Sequence, residues 1–390
     1  MKHLVILGGS DGTISAFRAA RRLGLGTICV DMRADAPGVR EADEFLHIST
    51  RDVAAMAQAL AGRDDLAGVL APGSDINLPS LVELTGLLGL PCGLTERALR
   101  ASVDKAYFRS VCERIGLPGP RYASGPAVLE EAVRLAFPVI VKPVDSGSSR
   151  GITICRTPAD LAAAVETATA ASPSGTVIAE ELVTGLDLCG EAVLLDGRVA
   201  LLGLSERVTA PPEVVAVGHD MAPRDDVLTK RVTEQLELVC AELGYRDGPV
   251  NLDLFVTGEE IVLIEMGARI GGNGLGEALG LMYGVDTVEA VVRLAVGERP
   301  ALAAGPAGHA AVRVLRAPVA GTLVAIRGLA EVRALPGVAD VVVVAAPGDQ
   351  VVPYTECRAK LGYVLASAAS AGELAEVLAA VDGLVGVDVG

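Results

Sequence analysis

The stretch IVKPVDSGSSRGI, residues 140–152, decides how the rest of the chain is read. A β-branched run ends on Lys142 and passes at once into Ser146, Gly147, Ser148, Ser149 and Gly151. A lysine at the end of an apolar strand loses hydration unless an anion meets it. Glycine and serine supply close-approach backbone N–H groups and hydroxyls, the ingredients of a loop that covers phosphate. The same residues also suit a solvated hairpin turn with a snorkelling lysine. The stretch is not a Walker A loop, because the lysine precedes the glycines and no G-x-x-x-x-G-K-[ST] occurs in the chain.

Two further stretches bear on the choice. In NLDLFVTGEEIVLIEMGAR, residues 251–269, Asp253 and Glu265 lie on apolar segments joined by a TGEE turn, the layout of a hairpin. Two close carboxylates raise each other's pKa unless a cation stands between them, and hard oxygens suit Mg²⁺. Arg269 follows four residues later and is suited to phosphate or a substrate carboxylate. An exposed carboxylate–arginine pair is the alternative. In VIAEELVTGLDLCGEAV, residues 177–193, a β run meets Glu180 and Glu181 before a turn that leads to Asp187 and Glu191. Such a segment can offer main-chain groups to a purine edge or simply form a surface hinge.

Around these stretches, the 390 residues exceed one ordinary core, so several packed units are expected. Residues 3–92 alternate strand and helix signals (HLVILGG, GTICVD, EFLHIS, LAGVLAP), which reads as a parallel α/β sheet covered on both faces. GGSDG, residues 8–12, reads as a tight strand-to-helix turn and lacks the G-x-G-x-x-G spacing. TERALRASVDKAYFRSVCERIGLPGP, residues 95–120, predicts one long helical stretch, with Leu99, Val103, Tyr107, Val111 and Ile115 recurring every four residues. Strands are expected near 137–142, 151–155, 176–180, 188–195 and 197–204. A helix at about 226–243 follows the Pro-rich VTAPPEVVAVGHDMAP, and a last unit starts near residue 306. The resulting map is 1–95, 96–185, 186–305 and 306–390.

The formal charge of -16 disfavours nucleic acid and anionic membrane surfaces as partners. Aromatics make up 3% with no Trp, which removes the usual stacking platforms for bases and sugars. Seven scattered cysteines without CxxC spacing read as buried thiols in a reducing cytoplasm. No apolar run approaches the roughly 18 residues of a membrane helix.

Taken in order, these stretches resemble the ATP-grasp superfamily of carboxylate–amine ligases over essentially the whole chain. The resemblance implies an α/β and α+β multidomain fold, with an N-terminal Rossmann-like parallel sheet domain, ATP held between two α+β units, and a C-terminal extra α+β domain. It implies Lys105 and Lys142 as the ATP lysines and residues 145–151 as the phosphate loop, with Ser149 and Lys142 at the reacting phosphate. Glu180, Glu181, Leu182 and Val183 fall at the adenine hinge, and Asp187 at the ribose position where a longer Glu is usual. Asp253 and Glu265 match the Mg²⁺ acids, with Mn²⁺ an alternative ion, and Arg269 matches the arginine that meets the transferred phosphoryl group. Gly271 and Gly272 fall on the substrate side. One departure concerns the Glu-x-Asn-x-Arg pattern, where this chain carries Gly267 in place of the Asn.

AAVRVLRAPVAG through LGYVLASAASAGELAEVLA, residues 310–379, is similar to the extra domain of the amino-acid and dipeptide ligases. The resemblance implies that ATP converts a carboxylate to an acyl phosphate, which an amine attacks to give an amide, ADP and phosphate. The expected partners are then small carboxylates and amines, foremost amino acids, with a homodimer as the commonest assembly. His219 reads as a substrate contact, a base for the amine or a structural loop residue, and Glu191 as a site for a substrate ammonium or a solvent-facing strand residue. His309 and Arg313 read chiefly as structural. A purine-type ATP-grasp enzyme using bicarbonate or formate with a ribonucleotide is the second expectation. A silent nucleotide-binding protein is the third.

Overall fold

The computed structural model describes residues 1–147, 150–209, 216–356 and 359–390. Ser148, Ser149 and Cys357 lie outside the described residues.

The first unit contains β1 (His3–Leu7), α1 (Ile14–Arg22), β2 (Gly26–Val30), β3 (Glu44–Leu46), α2 (Val53–Leu60), β4 (Leu66–Leu70) and α3 (Leu78–Leu88). Its four strands are parallel in the order β3-β2-β1-β4. The run LVIL of β1 is fully buried, because helices cover both faces of the sheet. The order reverses between β1 and β4, so the loops after these two strands flank the crevice where doubly wound sheets bind ligands. The reading of residues 3–92 did not include α3, which has Pro79 in its first turn and closes on Gly89 in the left-handed region.

The long helix expected over 95–120 is two helices, α4 (Glu96–Val103) and α5 (Lys105–Arg114). Asp104 between them is extended, and its carboxylate accepts the Tyr107 N–H at 3.0 Å. The periodicity runs through the break, but Asp104 is a better N-cap than helix interior. The cap makes Lys105 the first residue of α5, and the Lys105 N–H donates to Val144 C=O at 3.0 Å.

A small antiparallel unit follows: β5 (Tyr122–Ser124), α6 (Val128–Ala132), β6 (Val139–Pro143), β7 (Thr153–Cys155), α7 (Leu161–Ala171) and β8 (Val177–Glu181), with strand order β5-β8-β6-β7. Its own core joins Ala132, Val139, Val141, Leu161 and Ala179.

Next come β9 (Leu186–Leu195), β10 (Arg198–Thr209), β11 (Ala216–Met221), α8 (Asp226–Leu243), β12 (Gly248–Thr257), β13 (Glu260–Gly267), α9 (Leu275–Tyr283) and α10 (Thr287–Ala295). The stretch read only as Pro-rich contains β11. Its His219 pairs with Arg207 on one side and Val312 on the other, so it is a strand residue and not a loop residue. The end of the chain adds β14 (His309–Arg316), β15 (Gly321–Arg327), α11 (Leu329–Arg333), β16 (Val338–Val343), β17 (Gln350–Val351), β18 (Lys360–Ala368), α12 (Ala371–Leu384) and β19 (Gly386–Val389).

One eight-stranded sheet, β13-β12-β9-β10-β11-β14-β18-β16, runs through both of these segments, and β15, β17 and β19 form a separate small sheet. The junction lies at β11–β14, where a Cβ on Gly218 would stand 2.5 Å from Val312 O. Only glycine allows that approach. Val232, Leu236, Val239 and Leu243 of α8 pack into the large core as one face. Among the described residues no helix is long and apolar enough to cross a membrane. Five of the six described cysteines are buried; Cys92 is exposed in the turn after α3, contrary to the uniform burial expected.

Candidate active site

Lys142 and Glu180 lie on neighbouring strands β6 and β8, two residues off direct register, so their side chains share a face. Their ion pair is almost fully buried. The other Glu180 oxygen accepts from Arg109 Nε at 2.8 Å, and Arg109 Nη1 donates to Leu263 C=O at 2.8 Å. Burial alone would raise the Glu180 carboxyl, but Lys142 and Arg109 outweigh it and hold it below the usual carboxylate range. The side chain of Glu180 therefore faces inward to these two cations. Arg109 was missed in the sequence, although it stands four residues after Lys105 on the same helix face.

Lys105 reaches across to the phosphate-loop stretch and the metal-candidate hairpin together. Its Nζ donates to Ser146 C=O at 3.0 Å and pairs with Glu265 Oε2 at 3.2 Å. Ser146 is buried and its Oγ has no hydrogen-bond partner among the described residues. A Cβ on Gly147 would meet no described atom within 4 Å. Gly151 sits at φ +71°, and a Cβ there would stand 2.5 Å from Ala171 Cβ, so the loop's far end requires glycine.

Asp253 and Glu265 are directly opposed on β12 and β13, as the hairpin reading predicts. Burial raises the Asp253 carboxyl, with Glu265 and Asp187 adding to the rise and Arg207 opposing it. For Glu265, burial is outweighed by Lys105, Lys142 and Arg269, which lower its pKa. Arg207 of β10 bridges Asp187 and Asp253 with its two terminal nitrogens. Nothing in the sequence around Arg207 singled it out, since its partners are 20 and 46 residues distant in the chain.

Arg269 is held by Asp75, from the loop between β4 and α3, through Nε to Oδ1 at 3.0 Å and Nη2 to Oδ2 at 2.8 Å. Gly271 N–H donates to Glu191 Oε1 at 2.8 Å, and Asn251 Nδ2 donates to Glu191 Oε2 at 3.1 Å. A Cβ on Gly271 would stand 2.5 Å from Glu191 Oε2. Glu191 does not face solvent: it is 1% exposed, and burial pushes its carboxyl up to about 8. Gly272 packs beside Gly73, and a Cβ on Gly12 would sit 3.7 Å from Gly73 Cα and 3.8 Å from Gly272 Cα. The GGSDG turn and the loop after β4 thus close on the glycine exit of β13, at the crevice that the strand order marks.

The remaining candidates lie around this centre. His219 is buried, with Nδ1 3.3 Å from Ser205 Oγ, and burial together with Arg207 and Arg313 pushes its imidazole down to about 4. Glu181 accepts from Ala136 N–H at 2.9 Å, away from Lys142, while Leu182 N–H donates to Pro138 C=O at 2.9 Å and Val183 is half-buried. Arg313 pairs with Asp220 at 2.6 Å, and His309 Nδ1 is buried without a partner among the described residues.

The donor set fits Mg²⁺ with a triphosphate. Two opposed carboxylates supply hard oxygens of the kind Mg²⁺ takes along with phosphate and water. The unpartnered Ser146 hydroxyl lies beside the lysine that reaches the same hairpin, which suits a phosphate oxygen.

Two segments of the chain match known families. Residues 135–277 match the ATP-grasp domain model, and residues 313–390 match L-amino acid ligase C-terminal domain 2. An uncharacterized protein, y4rH, from Sinorhizobium fredii is 28% identical over 78% of this chain and 65% of its own length, so the chain spans less than two thirds of that relative. The formate-dependent phosphoribosylglycinamide formyltransferase of Cronobacter sakazakii is 28% identical over 70% of each chain. Among solved structures, the L-amino acid ligase from Bacillus licheniformis superposes with a TM-score of 0.82 at 21% identity, over 100% of this chain and 99% of that one. The phosphoribosylglycinamide synthetase from Anaerococcus prevotii gives 0.82 at 20% identity over 100% of both. At such identities the two structures speak for the fold alone. From the matched models, residues 135–277 are an ATP-grasp domain and residues 313–390 an L-amino acid ligase C-terminal domain 2, and the chain shares the fold of the two superposed structures.

Proposed function

We propose that the protein joins the carboxylate of one amino acid to the amine of another, through an acyl phosphate, with release of ADP and phosphate. The observation that carries the amino-acid reading is the L-amino acid ligase model over residues 313–390, in the segment whose β14, β18 and β16 extend the site's own sheet. In this reading Lys105, Lys142 and residues 145–151 hold the triphosphate, residues 180–183 line the adenine and Asp187 meets the ribose. Asp253 and Glu265 hold Mg²⁺, which when bound neutralises charge on the phosphates. Arg269 faces the phosphoryl group and stabilises the charge that develops on the acyl centre. Gly272 falls on the substrate side, next to Gly271, whose N–H is taken up by Glu191. Glu191, neutral at pH 7 by its raised pKa, fixes Gly271 and does not act as a counter-ion to a substrate ammonium. His219 is a neutral imidazole at pH 7, suited to accepting a proton or a hydrogen bond. Cytoplasmic residence, a homodimer and the four-unit division stay within the proposal on the sequence grounds given above.

A second reading, a formate- or bicarbonate-using enzyme acting on a ribonucleotide amine, is favoured by the similarity to the formyltransferase over 70% of the chain. Magnesium-dependent ADP release, measured with amino acids singly and in pairs and with mass detection of the amide, tests the first. Release only with a ribonucleotide amine plus formate or bicarbonate overturns it in favour of the second. No stimulation by any carboxylate or amine leaves a silent nucleotide-binding protein.

A further inference from the structure

The exit of β13, residues 267–272, is held by a loop of the N-terminal unit through several separate contacts. Gly73 N–H donates to Ile270 C=O at 3.1 Å, the Asp75 carboxylate grips two nitrogens of Arg269, and Asn77 Nδ2 ties the loop's far end to Leu7 C=O at 3.1 Å. A Cβ placed on Gly267 would overlap Asp75 Oδ1 and stand 3.3 Å from Arg269 Cζ. The space a side chain at position 267 would fill, beside Glu265, is therefore taken by a carboxylate from another unit of the fold. Asp75 and Arg269 remain 29% and 13% exposed, so the pair lines the cleft and is not sealed in the core.

We propose that Asp75 is the positioning residue for Arg269, doing from the N-terminal unit what a polar side chain at position 267 would do from the strand itself. A carboxylate that meets two guanidinium nitrogens fixes the plane of the group as well as its place. With Nε and Nη2 engaged, Nη1 is the nitrogen left to turn toward a ligand; its protein contact is Ile270 C=O at 3.5 Å. Because the loop also lies at the crevice between β1 and β4, a ligand seated there and the orientation of Arg269 are set by the same residues. The catalytic consequence rests on the ligase reading, while the steric exchange between Asp75 and position 267 does not.

Four variants test this: Asp75→Asn, Asp75→Gly, Gly267→Asn and the double variant Asp75→Gly/Gly267→Asn. Thermal unfolding reads the steric exchange. Gly267→Asn alone is expected to lower the midpoint by about 5 °C through overpacking. In the Asp75→Gly background the same change is expected to cost about 1 °C or less, a clear failure of additivity. Turnover reads the positioning role: Asp75→Asn lowers kcat by about 10²-fold while affinity for a non-hydrolysable ATP analogue with Mg²⁺, by calorimetry, stays within about twofold. Additive unfolding shifts overturn the proposal, as does wild-type kcat in Asp75→Asn. If the wild-type protein releases no ADP with any substrate pair, the ligase reading fails, and the unfolding cycle alone decides whether Asp75 occupies the place of a side chain at 267.

Discussion

Glu191→Gln removes a single buried proton site, and its effect has a sign and a size that follow from the structure. The carboxyl is 1% exposed, and burial moves its pKa from 4.5 to about 8, against the pull of Gly271 N–H, Arg269 and Asn251. The folded protein therefore keeps a proton that the unfolded chain releases on passing pH 4.5. The stability this group contributes is complete below that value, falls as pH rises, and is lost above pH 8. At about 1.4 kcal/mol per pH unit the ceiling is about 5 kcal/mol, and relaxation around the ionised group brings the working figure to about 2–4 kcal/mol. Glutamine cannot ionise; it keeps an acceptor for Gly271 N–H but places an amide opposite Asn251, so near pH 5.5 the variant should be slightly less stable than wild type. Urea unfolding of both proteins from about pH 5.5 to about pH 9 isolates the term, since every other titrating group is common to the pair. The expected result is a wild-type advantage that shrinks and reverses by about 1.5–3 kcal/mol across that range. A difference between the two proteins that does not change with pH would refute the buried, neutral state of Glu191.

Three other perturbations follow from the same geometry. Lys142→Ala should lower turnover by about 10²–10³-fold, measured as ADP release, with the fold retained because Arg109 still neutralises Glu180. Glu180→Gln leaves Lys142 and Arg109 together without a carboxylate and should cost about 3–5 kcal/mol in urea unfolding; a loss under about 1 kcal/mol would contradict the buried pairing. His219, its pKa depressed from 6.5 to about 4, contributes stability that is whole above pH 6.5 and lost as pH falls through 4, so His219→Asn should lack about 2–3 kcal/mol of the wild-type acid limb. Superimposable acid titrations of the two proteins, followed by circular dichroism, would rule that out.

What the sequence made legible was the local part of the site. The apolar runs of β6, β12 and β13, the glycines after Lys142 and the TGEE turn each lie within a short window, and the hairpin that opposes Asp253 to Glu265 needs no distant information. The helix break at Asp104 was also local, but a strong periodicity on both sides concealed a capping residue. Other features were not legible, because they are created by packing between distant segments. Asp75 meets Arg269 across 194 residues, and Arg109 meets Glu180 across 71. Neither pairing leaves a spacing signal. The glycine at 267 looked like a missing ligand in the sequence; its explanation lay in the loop after β4, which no window around residue 267 contains.

These pairings also bear on how an acidic protein of charge -16 can receive a triphosphate. Among the described residues of the cleft, five carboxylates, Asp75, Glu180, Asp187, Asp253 and Glu265, face five cations, Lys105, Arg109, Lys142, Arg207 and Arg269, and each carboxylate has a cation partner. The cleft is thus balanced, and a bare concentration of positive charge, costly to bury side by side, is avoided. The cations differ in what a change of partner would involve. Arg109 is also bonded to two backbone carbonyls and Glu180 is sealed with it, so this pair is scaffold. Lys105 and Arg207, by contrast, rest on Glu265 and Asp253, the two acids that suit a divalent ion. Their freedom to meet phosphate is therefore tied to what those acids bind, and the chain places that exchange on β12 and β13, where Glu265 is 37% and Asp253 34% exposed. Preorganisation here lies less in free charges waiting for a ligand than in pairs whose second members are already within reach of it.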